Sequence, residues 1–141
     1  MLEVTCVSEA LGGKKILGKE IRSGLELADL VYLGFPIAAA EHVLEKNLLT
    51  KQEIFQLIVS QRTYDRRKKN HRLSADESDK LARFVRIHAM VTALLGEEAD
   101  AWLREPNPAL GGKIPLHYMS SDSGSQMIES LLGRIAHGIP S

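Results

Sequence analysis

The chain has 141 residues with eighteen Lys and Arg against eighteen Asp and Glu, so nothing in its global charge demands a nucleic acid or an anionic membrane. Apolar residues at 44% and charged residues at 26% describe a soluble globular chain, one ordinary domain or two small ones sharing a core, and exclude wholesale disorder. A single cysteine, Cys6, excludes an internal disulfide; no Cys/His spacing of a structural zinc site occurs, and no apolar run reaches the ~18 residues of a membrane helix.

The opening segment, MLEVTCVSEALGG, carries Glu3 and lacks a basic stretch, so it does not read as a signal peptide and the expected location is cytoplasmic. The first twenty-odd residues, with Gly12, Gly13 and Gly18, lack helical periodicity and are expected to hold a short strand or an irregular arm. Leu25 to Leu33 reads as a helix stopped by Gly34 and Pro36. Pro36 suits the first turn of the next helix, which runs through Ile37, Ala40, Val43 and Leu44 to about Leu48. Thr50 and Glu53 form a capping box, and Ile54, Leu57 and Ile58 follow at the spacing of a short packed helix. Ser60 and Gln61 supply a turn and cap before a helix from Arg62 to Lys69.

Ser74 and Glu77 make a second capping box that opens the strongest helix. Leu81, Phe84, Val85, His88, Val91, Thr92 and Leu95 share its apolar face, and Gly96 ends it. A shorter helix, Glu97 to Arg104, presents Ala99, Trp102 and Leu103. The segment PNPALGGKIP then holds three of the five prolines and two glycines, too punctuated for regular structure. A last helix starts near Asp122 behind an N-cap in SSDSGS, carries Met127, Ile128, Leu131, Leu132 and Ile135 on one side, and yields at Gly138.

Zero net charge conceals an asymmetry: residues 1–72 carry +3 and residues 73–141 carry −3. Arg62, Arg66, Arg67, Lys68, Lys69 and Arg72 crowd into eleven residues, opposed only by Asp65. Two short helices joined by a tight turn, the second one basic, form the helix-turn-helix pattern. The first helix braces the second, which projects polar side chains into a major groove. Gln61, Arg62 and Thr63 then lie at the end that approaches base edges, where Arg forks to guanine and Gln to adenine. Arg66 and Arg67 follow one turn on, and Lys68 and Lys69 suit phosphates. The plain alternative is a solvated helix face. RNA ranks below DNA because no aromatic platform accompanies the cluster.

Signals for catalysis are weak. Gly13 to Glu20 nearly spells a phosphate-cradling loop, but Glu20 stands where a magnesium-binding hydroxyl is required. The histidines, His42, His71, His88, His117 and His137, are scattered; His88 reads as a hydrogen-bonded core residue. SSDSGS lacks the nucleophile-elbow pattern. No enzyme activity, cofactor or metal is expected.

The second half resembles a known family. Leu73 to Leu81 (LSADESDKL), Ala101-Trp102-Leu103, Pro106 to Gly112 (PNPALGG), Pro115-Leu116 and Arg134 to Gly138 (RIAHG) are similar to the Xre/MbcA/ParS antitoxins. Arg62 to Lys69 resembles the R-T-x-x-R-R segment of that family's helix-turn-helix, with Tyr64 and Asp65 replacing a more usual leucine-then-polar pair. Leu11-Gly12-Gly13 and Gly34-Phe35-Pro36 also fit, with Phe35 where Leu is more usual. The resemblance implies an antitoxin of a type II pair whose partner is a RES-domain toxin acting on NAD. It implies a C-terminal domain that holds the toxin and obstructs its active site with the last residues, an N-terminal domain on the operon's own promoter, and self-association into a homodimer or higher oligomer.

The residues accommodate this. Leu110 to Leu116 reads either as an exposed apolar patch for a protein partner or as a loop folded over Trp102. The tail from Arg134 to Ser141 is short enough to enter a cleft, or else is a frayed terminus. The expected architecture is all-α: an Xre-like helix-turn-helix half, residues 1–72, packed with a helical toxin-binding half, residues 73–141. DNA contacts are assigned to Gln61, Arg62, Thr63, Arg66, Arg67, Lys68 and Lys69. Toxin contacts are assigned to Trp102, Asn107, Leu110, Gly111, Pro115, Leu116, Arg134, Ile135, His137, Gly138 and Ile139. The rival readings are a stand-alone transcription regulator whose second half dimerises or senses a ligand, and a small enzyme built on the glycine-rich N-terminal segment.

Overall fold

The computed structural model describes residues 2–138. Helices α1 (Leu2–Ala10), α2 (Gly13–Leu17), α3 (Gly24–Leu33), α4 (Ile37–Glu45), α5 (Lys51–Leu57), α6 (Gln61–Asn70) and α7 (Ala75–Leu95) come first. A 3-10 turn at Gly96–Glu98 leads into α8 (Ala99–Arg104), and two more, Pro108–Leu110 and Pro115–Tyr118, precede α9 (Asp122–Ala136). Among the described residues the only β pairing is two isolated bridges, Pro36 with Arg72 and Asn107 with Lys113. The protein is all-α.

The chain divides into two compact units, residues 1–86 and 87–141, so the division falls inside α7. The expected boundary near residue 73 lies just ahead of that helix.

The N-terminal segment differs from expectation: it is two helices, not a strand or an arm. Val7 and Leu11, four residues apart, are both buried, as is Leu17. One apolar pair per short helix is too little to display a period. Gly12 and Gly13, with φ of +107° and +66°, make the turn between the helices. The second helix packs on α4.

Elsewhere in the first unit the local signals operate as written. Ser23 caps α3 by accepting from the Glu26 N–H at 3.1 Å. Thr50 and Glu53 close their capping box, at 3.1 Å and 2.9 Å. Pro36 stands at the N-cap of α4, one position before the first turn, and α4 ends at Glu45 because Asn47 turns left-handed.

What locks this unit is a clasp between distant segments. The Leu73 N–H donates to the Phe35 carbonyl and the Ile37 N–H to the His71 carbonyl, both at 2.9 Å. Phe35, fully buried, donates its own N–H to Ser78 Oγ at 2.8 Å, and that hydroxyl donates onward to the Ser74 carbonyl at 2.7 Å. Arg72 also donates to the Gly34 carbonyl. Only glycine fits at position 34: φ is +101°, and a Cβ would lie 2.2 Å from the Leu73 carbonyl oxygen.

In the second unit, Ala99, Leu103, Leu110, Leu116, Met119, Ile128, Leu131 and Leu132 are buried. Both α8 and α9 pack on the Pro115–Tyr118 turn. Ser121 caps α9 by accepting from the Gly124 N–H at 3.0 Å, so SSDSGS is a cap as expected. Gly124 admits the Tyr118 carbonyl, which a Cβ would meet at 2.2 Å.

Two substitutions test the clasp. Gly34→Ala is expected to destabilise the protein by about 1–3 kcal/mol through backbone strain and the clash at Leu73. Ser78→Ala leaves the buried Phe35 N–H unsatisfied, at a cost of about 1–3 kcal/mol. Urea unfolding followed by circular dichroism reads both.

Candidate functional site

The candidate DNA-contacting element is α5, a tight turn at residues 58–60, and α6. Its interior is apolar: Ile54, Ile58, Val59 and Tyr64 are buried. Tyr64 is the inward anchor of α6. Its ring meets Phe55 edge-on at 5.7 Å between centroids, and the Lys68 ammonium lies 5.2 Å from the ring centre. Burial pushes the Tyr64 phenol above its ordinary pKa, and the nearby Glu41 and Asp65 carboxylates push it the same way.

The outward side of α6 is polar. Gln61, Arg62, Asp65, Arg66 and Lys69 are exposed and recur at the spacing of one helix face, with Lys68 exposed beside them. Thr63 is half-buried and belongs to the cap: its N–H donates to Ser60 Oγ at 3.3 Å, and its hydroxyl oxygen accepts from Ser60 Oγ at 3.0 Å.

Arg67 corrects the sequence reading. The basic pattern assigns it to DNA, but its guanidinium grips Glu77 in a two-point pair, Nε to Oε1 at 3.0 Å and Nη2 to Oε2 at 3.2 Å. The Arg67 and Glu77 side chains are only 23% and 11% exposed, so this is a sheltered pair and not a solvated one. The Glu77 hydrogen bond holds the guanidinium protonated above its ordinary pKa. Glu77 Oε1 also accepts the Ser74 N–H at 2.8 Å, closing the cap of α7. One carboxylate therefore fastens the end of α6 to the start of α7. Sequence reasoning finds Glu77 as a cap, but its pairing with Arg67 carries no local signal.

In the second unit the expected contact residues separate into two groups. Leu110, Pro115 and Leu116 are buried and Ile114 half-buried, so the large apolar side chains of residues 110–116 turn inward, while Pro106, Pro108 and Ala109 ahead of them are exposed. Asn107 is structural: its Oδ1 accepts the Ala109 N–H at 2.9 Å, and its backbone bonds Lys113 and Gly112 at 3.0 Å. Gly111, with φ +66°, is exposed at the tip. Trp102 is half-buried and shares a cleft with Leu95, Glu98, Ala101 and Glu105.

Arg134 and Ile135 belong to the last turn of α9 and not to an extended tail; Arg134 is exposed and Ile135 half-buried. His137 ends the helix, and His137 and Gly138 are exposed. Ile139 lies outside the described residues. His88, half-buried, pairs with Asp100 at 3.2 Å.

These elements coincide with recognised sequence families. Residues 20–86 match the antitoxin Xre-like helix-turn-helix domain, and residues 90–138 match the antitoxin Xre/MbcA/ParS C-terminal toxin-binding domain. A protein named Antitoxin Xre from Pseudomonas putida is 31% identical over 121 residues, covering 84% of this chain and 76% of that protein. A second Antitoxin Xre, from Photorhabdus laumondii, is 30% identical over 132 residues, covering 90% of this chain and 89% of its own. A third, from Yersinia enterocolitica, is 27% identical over 128 residues. The chain belongs to the Xre/MbcA/ParS antitoxin family.

Membership in the Xre family makes the role regulatory, with DNA and a toxin implied as partners of the two domains. No helix among the described residues is long and apolar enough to cross a membrane.

Arg66 and Arg67 are adjacent but should behave differently. Arg67→Ala strands a largely buried carboxylate and is expected to cost about 1–3 kcal/mol of stability, whereas Arg66→Ala on the exposed face should stay within about 0.5 kcal/mol of the wild type. Paired denaturation curves of the two variants provide the check.

Proposed function

We propose that this chain is the antitoxin of a type II pair that neutralises a RES-domain, NAD-consuming toxin and represses its own promoter. The observation that carries the DNA half is the exposed polar face of α6. Arg62, Arg66, Lys68 and Lys69 stand in solvent on a helix whose inner side is immobilised by Tyr64 and Arg67. That is the arrangement a major-groove reader requires: a rigid rod, cations along one side, and Gln61 with Arg62 at the end that meets base edges. Self-association doubles the rod for a two-part operator.

The toxin half acts sterically. Residues 90–138, the region matching a toxin-binding domain, end in exposed Arg134, His137 and Gly138, and these with Ile139 obstruct the toxin's NAD site. Burial of Leu110, Pro115 and Leu116 shapes the loop, leaving Gly111 and the exposed Lys113 as its outer surface. The protein performs no chemistry of its own, uses no cofactor, and works in the cytoplasm.

Arg62→Ala with Arg66→Ala should weaken binding to the upstream promoter fragment and flatten its dependence on salt by about 0.9 log–log units for each phosphate the variant no longer neutralises. Binding unchanged in affinity and slope would remove α6 as the reader. Separately, deletion of residues 138–141 should release toxin activity while the toxin still co-purifies. Full protection of cells by the shortened chain would refute the obstructing tail.

A further inference from the structure

A cleft on the second unit gathers the chain's single tryptophan and two unmatched acids. Its walls are Leu95, Glu98, Ala101, Trp102 and Glu105, and they enclose about 370 Å³. Glu98, Ala101, Trp102 and Glu105 fall at i, i+3, i+4 and i+7, so the 3-10 turn and α8 carry them to one side, beside the last residue of α7. Glu98, Ala101 and Glu105 are exposed, while Leu95 and Trp102 are half-buried.

The fold itself does not use these polar groups. Glu98 and Glu105 have no ion-pair partner among the described residues, and Trp102 makes neither a ring contact nor an indole N–H hydrogen bond there. Arg104, the neighbouring cation, is engaged with Asp100: its Nη1 donates to the Asp100 carbonyl at 3.1 Å and lies 3.6 Å from the carboxylate. The surrounding sequence is acidic. Residues 90–138 hold six Asp and Glu against three Lys and Arg, and four of the six acids lie between Glu97 and Glu105.

Two features set the chemistry of an occupant. The indole face attracts cations more strongly than any other aromatic side chain. Carboxylates one turn before and one turn after it add to the same preference. A planar guanidinium satisfies both, because it stacks on the ring with its N–H groups still free to meet the carboxylates, whereas an ammonium supplies only a point charge. Leu95 and Ala101 suit the methylene stem of such a side chain. Nucleic acid does not fit, since two uncompensated carboxylates repel phosphate.

We infer that this cleft receives an arginine side chain of the toxin, stacked on Trp102 and held between Glu98 and Glu105. The toxin as its source rests on the neutralising role proposed above and on the match of residues 90–138 to a toxin-binding domain. The cleft and the tail then divide the work: the cleft anchors the partner, and the last residues obstruct its active site. Tryptophan and arginine are the residues that most often dominate interface energies, and here one meets the other.

Trp102 is the only tryptophan, so its fluorescence reports on the cleft in the toxin-free full chain. Acetyl-Gly-Arg-Gly-amide should shift that emission saturably in roughly the millimolar range, and the citrulline peptide, neutral but alike in shape, should not. Glu98→Gln with Glu105→Gln, near-isosteric changes at exposed positions, should abolish the response. Against purified toxin the same double variant should bind ~10-fold more weakly at low salt, with a flatter salt dependence than the wild type. Trp102→Leu should lose at least ~10-fold, and Trp102→Phe less. Toxin binding unchanged by the two Gln substitutions overturns the inference and leaves the neutralising role intact. No response to the arginine peptide, or an equal response to both peptides, also overturns it. A wild type that distinguishes the peptides yet ignores the toxin ends the neutralising role and removes the toxin as occupant, while upholding the guanidinium site. Emission that changes with the chain's own concentration, toxin absent, gives the cleft to a second copy and overturns the inference.

Discussion

The carboxylate of Glu77 is the point on which the helix-turn-helix unit depends. It accepts the Ser74 N–H, completing the cap of α7, and it receives both arms of the Arg67 guanidinium. Glu77 is nearly excluded from water, so its charge is tolerable only because every approach is met by a donor. In return, α6 is held at its C-terminal end by an ion pair and in its middle by Tyr64. Arg62, Arg66 and Lys69 take no part in that anchoring and stand exposed. A face of α6 held this way presents Arg62, Arg66 and Lys69 to solvent from a fixed backbone.

Around that junction the clasp of residues 34–37 on residues 71–73 closes the helix-turn-helix into a ring. The entry to α4 and the exit from α6 share backbone hydrogen bonds, and Ser78 on α7 joins both by bonding Phe35 and Ser74. The left-handed His71 at the end of α6 and the positive φ of Gly34 are the two backbone conformations that let the segments meet. The same clasp joins the end of α3 to the exit of α6 through Arg72 on the Gly34 carbonyl and Leu73 on Phe35.

The second unit follows a different logic. Its proline- and glycine-rich loop, which looks unstructured in sequence, is drawn into the fold by its own apolar side chains and pinned at both ends by Asn107. The loop's exposed residues are Pro106, Pro108, Ala109, Gly111, Gly112 and Lys113. The buried Leu110, Pro115 and Leu116 serve the loop's conformation.

Local rules were legible in the sequence. The capping boxes at Thr50 and Ser74, the cap within SSDSGS and the stripe of α5 each involve residues three or four apart, so the helix period exposes them, and the stop at Gly96 is a single-residue signal. The helices of the first seventeen residues were not legible, because each is too short to repeat its apolar pattern. Arg67 looked like its basic neighbours: nothing within a helical turn reveals a partner ten positions away, and Ser78 lies forty-three from Phe35. The inward turn of Leu110, Pro115 and Leu116 was equally hidden, since an apolar loop reads alike whether it faces solvent or core. By itself the sequence determined the helices beyond the first seventeen residues, most of their ends, the basic element and the family. Tertiary structure alone decided which cations are free and which apolar side chains are covered, because both depend on groups that only folding brings together.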